Sequence, residues 1–460
     1  MKSPPDYPSV NRRRLSAARH WRDQSAKNLV GLLASALLSF PAWAGTAIPE
    51  TRGGPSEDKA ENSSSLSASL QKLWTQRANS VQFGGFVSQG FLVNTGHNDY
   101  FGETSKGTAD FREYALNASY SIGQFRLGMQ IFGQKLGEYG NDNLGIDWAT
   151  ADYQPAQWFG LRAGRVKMPR GLYNEALDVD SVRPFVLLPQ SVYDARLRDF
   201  NSAFNGAMVF GNIGLKKLGS LDYRLFYGDI PIANNSGASD YFNNDFPSKS
   251  LDMEMDSVRG GLLFWNTPLT GLRMGYSYSS FENLGSNRQG TVQFAPPPAP
   301  PLAVTGSKST NRYDRHLLSI EYAMGAWVFA TEAGREKAIY NISISGAHLL
   351  DIDFTSDYFY VFAARRITPW LELGTYYSYS CDAGSPIGSV PIAQSGQSEI
   401  KQGDFALSAR FDINEHLIFK VEGHYMDGAG KIFDTVAHRQ PFADRDEAWF
   451  LFGAKVTYSF

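Results

Sequence analysis

Trp449-Phe450-Leu451-Phe452-Gly453-Ala454-Lys455-Val456-Thr457-Tyr458-Ser459-Phe460 is the stretch from which the fold can be read. Taken with a period of two, Phe450, Phe452, Ala454, Val456, Tyr458 and Phe460 share one face. Gly453, Lys455, Thr457 and Ser459 share the other, and Leu451 is the one apolar exception among them. Successive side chains of a strand point to opposite faces, so this is a strand that is greasy on one side and wet on the other. In a soluble protein, a terminal strand ending on an aromatic residue with no polar tail leaves an apolar edge open to aggregation. A closed barrel in lipid removes that hazard, because its first and last strands pair and its apolar face meets acyl chains.

The composition agrees with that reading. The chain has 460 residues, a formal charge of -3, 14% aromatic and 19% charged residues, and 44 glycines. Much Tyr, Phe and Gly with few charges suits antiparallel sheet better than helical membrane spans. No apolar run approaches the roughly 20 residues a spanning helix needs. The longest such run, Leu29 to Phe40, follows Arg12, Arg13, Arg14, Arg19, Arg22 and Lys27 and precedes Ala42-Trp43-Ala44. That order is an export signal, residues 1–44, cleaved before Gly45. Arg12-Arg13 is a twin-arginine pair, but that route carries folded cargo, and a barrel with a lipid-facing exterior has to cross unfolded. Residues 45–80, rich in Ser, Glu and Gly, read as a periplasmic linker. Cys381 is the only cysteine, which excludes an internal disulfide, a thiolate metal cluster and a cysteine redox pair. The near-neutral charge gives no footing for nucleic acid, and no cofactor is expected.

From Val81 to the end the alternation recurs in sixteen segments: 81–93, 109–121, 124–134, 145–153, 157–167, 203–211, 218–229, 256–266, 270–281, 312–323, 326–335, 353–366, 370–380, 403–413, 416–426 and 447–460. Short links such as Ile122-Gly123, Pro155-Ala156, Met324-Gly325 and Asn414-Glu415 alternate with long polar connections. An all-β, antiparallel, up-and-down transmembrane barrel of about sixteen strands has this rhythm, with tight turns at the periplasmic end and extended loops outside. Trp158, Trp265, Trp327 and Trp370 flank the short turns, and Trp148 and Trp449 lie near the opposite strand ends, so both sets are expected in interfacial girdles.

Each strand divides into a lipid face and a lumen face. Leu221, Tyr223, Leu225 and Tyr227 alternate with Asp222 and Arg224; Leu272, Met274, Tyr276 and Tyr278 alternate with Arg273. Phe405, Leu407, Ala409 and Phe411 alternate with Asp404, Ser408, Arg410 and Asp412, and Leu417, Phe419, Val421 and Tyr425 with Lys420, Glu422 and His424. Charges on a spanning strand belong inside, which also places Glu113, Arg126, Arg162, Arg259, Glu321, Glu332, Glu372 and Lys455 on the lumen wall. The strand 353–366 is ambiguous, since both its faces carry aromatics. So many charges imply a wide polar interior, because a dry core would have to compensate each of them. About sixteen strands enclose more than side chains can fill and leave an aqueous channel.

The third long connection, residues 168–202, carries Phe185-Val186-Leu187-Leu188, which a loop in water has no use for. It is expected to fold inward and narrow the pore, with Arg170, Arg183, Arg196 and Arg198 facing Glu175, Asp178, Asp180 and Asp194. Opposed fixed charges across a constriction filter ions by size and sign. The rival reading makes the apolar run a subunit contact.

The closing strand resembles the C-terminal strand of Gram-negative outer-membrane barrels, which ends in Phe. Arg162-Ala163-Gly164-Arg165-Val166-Lys167-Met168-Pro169-Arg170-Gly171-Leu172 is similar to the strand-to-loop segment of the phosphate-selective-porin-like group. Phe411-Asp412-Ile413-Asn414 and Lys420-Val421-Glu422-Gly423-His424-Tyr425 are similar to that group's penultimate hairpin. The resemblance spans about residues 81–460. It implies a passive outer-membrane porin, surrounded by outer-membrane lipid, passing small hydrophilic solutes or ions and assembling as a homotrimer. A dense basic ladder suited to phosphate is missing, because acids accompany the arginines throughout. An anion- or phosphate-selective channel is the alternative. An outer-membrane barrel enzyme or adhesin is a third class, although the sequence has no G-x-S-x-G, H-E-x-x-H or phosphate loop. His424 beside Glu422 is the one histidine an enzyme would use; it reads instead as pore-lining. Asp178-Val179-Asp180 and Asp351-Ile352-Asp353 lack calcium-loop spacing and read as loop carboxylates.

Overall fold

The computed structural model describes residues 81–243, 249–292, 300, 302–386, 400–432 and 444–460. The signal, the linker and nearly all of the proline-rich tip 295–301 lie outside them. The strands are β1 (Val81–Asn94), β2 (Thr108–Ile122), β3 (Phe125–Leu136), β4 (Gly145–Ala156), β5 (Phe159–Lys167), β6 (Ala203–Gly214), β7 (Ser220–Asp229), β8 (Lys249–Glu254), β9 (Ser257–Asn266), β10 (Leu272–Val292), β11 (Leu302–Met324), β12 (Trp327–Ile344), β13 (Ala347–Thr368), β14 (Leu371–Pro386), β15 (Lys401–Asp412), β16 (Leu417–Gly428) and β17 (Ala448–Ser459). β8 and β9 pair with the same edge of β10 and form one barrel strand in two pieces, so the wall has sixteen strands.

Neighbours are antiparallel throughout, and the sheet closes where β1 meets β17, from Phe86 opposite Ser459 to Asn94 opposite Leu451. The seam continues to the last residue: Gly85 N–H donates to the Phe460 carbonyl, and Phe460 N–H donates to the Gly85 carbonyl, both at 3.1 Å. β17 is thus paired on both sides, by β16 and β1, and this apolar strand offers no free edge.

The strands start and stop close to the expected positions, with one systematic difference. β10 to β13 run on for 21, 23, 18 and 22 residues, well past the height of the apolar belt. The expected long connection 336–352 is therefore mostly strand. Its turn is Ser345-Gly346, with φ of 51° and 80°. Two successive positive φ angles match the right-handed twist of the flanking strands, which is what a two-residue hairpin needs. The run Ile339-Tyr340-Asn341-Ile342-Ser343-Ile344 carried the signal, a β-branched alternation that continues past Glu336.

Buried apolar clusters lie inside the cylinder, three of them formed with the third connection. One joins Leu172, Tyr173, Phe185, Leu188, Val192 and Tyr193 of the third connection to Leu317, Tyr358, Tyr360, Phe362 and Tyr376 of the wall. Here the ambiguous strand resolves: Tyr358, Tyr360 and Phe362 face inward and pack on the connection, while Val361 is exposed on the outer face. A second sets Met168 and Phe200 against Phe281, Tyr313 and Tyr340, together with Phe242 of the short helix Gly237–Phe242. A third holds Val186 and Leu187 among Leu92, Tyr100, Phe101, Phe111, Trp449 and Leu451. That accounts for Leu451, the apolar exception on the wet face. Trp449 is a correction: it is turned into the barrel, buried, with its indole N–H donating to the Gly428 carbonyl at 3.2 Å. Trp148 likewise pairs across the sheet with inward-facing Gln130. The exposed tryptophans Trp158, Trp265 and Trp370 all belong to the short-turn end.

Candidate pore and the segment that crosses it

The outside and inside of the wall differ in chemistry. Phe83, Leu127, Leu161, Leu225, Leu263, Leu318, Leu373, Leu407 and Phe452 stand exposed on the outer face. Neighbours one residue along the strand, among them Arg126, Arg162 and Arg224, point inward, as do Arg410 and Lys420. In water such a belt would be a large aggregation-prone patch; lipid is the solvent that suits it. The molecule is a transmembrane β-barrel.

Most of the lumen charges read from the sequence lie on the inward face. Arg162 closes on Asp152 of β4 through two bonds of 2.7 and 2.8 Å, and Arg126 lies beside that pair. Arg273 and Glu321 pair across β10 and β11 at 2.9 Å. Glu372 sits between Arg366, at 3.0 Å, and Arg410, at 3.9 Å. Lys455 bonds Glu113 at 2.5 Å. Arg259 is the exception. It shares the outward face of β9 with Leu263 and Trp265, and pairs with Glu282 at 2.6 Å. The glycine pair Gly260-Gly261 hides the alternation there, so the sequence could not assign its face.

Residues 168–202 lie across the lumen, held by wall side chains. Glu332 accepts from the Leu172 N–H at 2.9 Å, from Tyr360 at 2.9 Å, and from Tyr193 and Ser319. Glu422 accepts from the N–H groups of Val186 and Leu187 at 2.9 and 3.0 Å. His424 lies between two carboxylates, with Nδ1 2.9 Å from Asp404 and Nε2 2.8 Å from Glu422. Lys420, wholly buried, donates to the carbonyls of Asp180 and Phe185 and meets the Asp180 carboxylate at 3.0 Å. Lys455 lies 3.3 Å from that carboxylate, and Thr457 donates to it at 2.9 Å. Arg410 reaches the Ser181 carbonyl, and Ser408 the Pro184 carbonyl.

The charges of the segment do not face one another across open water. They are in contact: Arg183 lies 3.6 Å from Asp180, Arg196 bonds Asp194 at 2.7 and 2.9 Å, and Arg198 meets Asp178 at 2.5 Å and Asp147 at 2.7 Å. Lys167 joins the last group through both acids. Arg170 bonds the Val192 carbonyl at 2.7 Å and lies 3.9 Å from Glu336, while Glu175 meets Arg224 at 3.5 Å. Burial alone would favour neutral carboxyls, but Arg198 and Lys167 around Asp178, and Lys420, Lys455 and Arg183 around Asp180, hold both well below the usual carboxylate range. Asp147, Asp152, Lys167 and Glu336 complete these pairs and were given no lumen role in the sequence, because an acid or base one strand away from its partner carries no local signature; Asp404, read on the lumen face, meets His424.

Space remains beside β2 to β4. A cavity of about 270 Å³ opens among the long connections, lined by Phe132, Gln134, Asn141, Asn143, Arg165, Arg198 and Asp199. A narrower one of about 50 Å³ lies beneath it, between Glu113 and Lys135 of the wall and Asp178, Arg183, Tyr193 and Asp194 of the segment. Gln134 and Arg198 line both, so the two form a mouth and a neck.

No family model matches the sequence, and no curated protein is similar enough to count as a relative. Among solved structures, the fold is similar to OmpT expressed in the outer membrane of Vibrio cholerae, at 11% identity and a TM-score of 0.49, covering 83% of this chain and 97% of that one. It is also similar to an anion-selective porin from Comamonas acidovorans, at 12% identity and 0.48, covering 83% and 99%. The outer membrane channel DcaP of Acinetobacter baumannii matches at 12% identity and 0.48, covering 84% and 99%. At such values the likeness is one of barrel architecture, and cargo has to be argued from this chain's own side chains.

Proposed function

We propose that this chain is an outer-membrane porin, a passive channel for small hydrophilic solutes and ions, with residues 168–202 as its constriction. The observation that carries the reading is the pairing of an apolar outer belt with a charged inner wall on which that segment is hydrogen-bonded at many points. A wall built only to be stable has no need of inward Glu332, Lys420 and Glu422. The barrel sits in the outer membrane, and assembly as a homotrimer follows from the resemblance of its sequence to porins. An anion- or phosphate-selective channel is less well supported, because Lys167, Arg170, Arg183, Arg196 and Arg198 are all engaged by acids or carbonyls of the protein itself. A pore-side rather than catalytic role for His424 is supported by its burial between Asp404 and Glu422.

Purified protein in a planar bilayer is expected to give discrete conductance steps. Deleting residues 184–189 is expected to raise the step severalfold while the barrel still migrates as a folded species. An unchanged step in the deletion variant would remove the constriction role, and absence of any step in the parent protein would remove the channel.

A further inference from the structure

We infer that the neck selects for the absence of net charge, so that small neutral or zwitterionic polar solutes pass in preference to inorganic or organic ions of either sign. The inference rests on the channel reading and specifies its cargo. Charged groups in the neck are balanced: Glu113, Asp178 and Asp194 against Lys135, Arg183 and Arg198. The mouth repeats the balance with Asp147 and Asp199 against Arg165 and Arg198.

Balance alone would still allow a transverse field. What abolishes it is contact. Glu113 is bonded to Lys455 at 2.5 Å, Asp194 to Arg196 at 2.7 Å, Asp178 to Arg198 at 2.5 Å, Arg183 lies 3.6 Å from Asp180, and Lys135 lies 3.8 Å from Asp110. The field of a contact pair closes on itself and falls off as that of a dipole. The rest of the neck is largely apolar, with Phe111, Leu136, Leu177, Val186, Leu187 and Leu188 on its walls.

The neck is narrow, with a cavity volume of about 50 Å³. An ion entering it sheds most of its hydration shell, and that loss is tolerable only where a fixed counter-charge or a ring of dipoles replaces it. Here each counter-charge is already committed. A solute without net charge gives up far less hydration, and the amide of Gln134 stands in the neck wall to bond it.

The test uses the full-length protein in proteoliposomes and four solutes of matched size: glycolamide (neutral), glycine (zwitterion), glycolate (anion) and ethanolammonium (cation). Glycolamide and glycine are expected to enter about tenfold faster than either ion. In a potassium chloride gradient the permeability ratio of the two ions is expected within about twofold of one. Lys135→Gln, at a partly exposed position, removes one positive charge from the neck and is expected to favour potassium; Glu113→Gln removes one negative charge and is expected to favour chloride. Ions entering as fast as glycine, a parent ratio beyond about fivefold in either direction, or no movement of the ratio in both variants would overturn the inference and leave the channel standing. Failure of all four solutes to enter, with no conductance, would overturn both.

Discussion

On the wall from β12 to β17, Glu332, Arg410, Lys420, Glu422 and Lys455 each reach a backbone group or an acid of residues 168–202. On the wall from β3 to β7, Gln130, Asp147 and Lys167 hold Asp178 and Arg198 at one end, but further along Arg162 is closed on Asp152 of the next strand and Arg224 meets the segment only at 3.5 Å, through Glu175. Both walls present the same kinds of residue at the same alternation. The difference is what lies opposite. Where the crossing segment packs, a lumen charge becomes an anchor; where it does not, the charge is neutralised within the sheet or meets the segment across partly open space. A lumen charge is therefore not by itself a pore-lining group.

The comparison can be broken by substitution. Glu422→Ala removes the acceptor of two buried N–H groups and one partner of His424. Each orphaned buried donor costs about 1–3 kcal/mol, so a loss of several kcal/mol is expected. It should appear as a lower unfolding temperature in detergent and as noisier conductance steps; an unmoved temperature would mean that the wall does not grip. Arg224→Gln tests the other wall. Its pair with Glu175 is partly exposed and loosely spaced, so the change is expected to stay within about 0.5 kcal/mol. A loss as large as that of Glu422→Ala would erase the distinction between the walls.

The smallest effect expected is that of pH. Asp178 and Asp180 have folded-state values below those of the unfolded chain, so their contribution is complete above the ordinary carboxylate range and is lost only as pH falls through the depressed values. The contribution of Asp178 and Asp180 to unfolding temperature and conductance, read as the difference between parent and Asn variants, should therefore be the same at about pH 8 and about pH 5, both above the usual aspartate value. A step change between them attributable to Asp180→Asn would show that the segment is held less firmly than its contacts require.

Several details show what a local pattern can and cannot carry. The alternation from Val81 onward located the strands because a membrane forces a strict two-sided chemistry on every one of them. It failed where that pressure ended: above the belt β12 and β13 continue as strand to Ser345-Gly346, and no lipid dictates which face is apolar there. Leu451 and the two-faced aromatics of β13 looked like defects of the pattern. They are the inner surface on which Phe185, Val186 and Leu187 pack. Phe185-Val186-Leu187-Leu188 could be recognised as needing cover, but not which wall would supply it.

The sequence by itself determined the closed barrel and its two-sided strands, because those follow from nearest-neighbour alternation and from the insolubility of an unpaired strand in lipid. Only the tertiary structure decided which charges meet. Contacts such as Lys420 with Asp180, Glu422 with Val186 and Arg198 with Asp147 join residues 51 to 240 positions apart. Whether a charge stands in open water or in a contact pair is settled by that distant partner, and with it whether the pore has a field to select with.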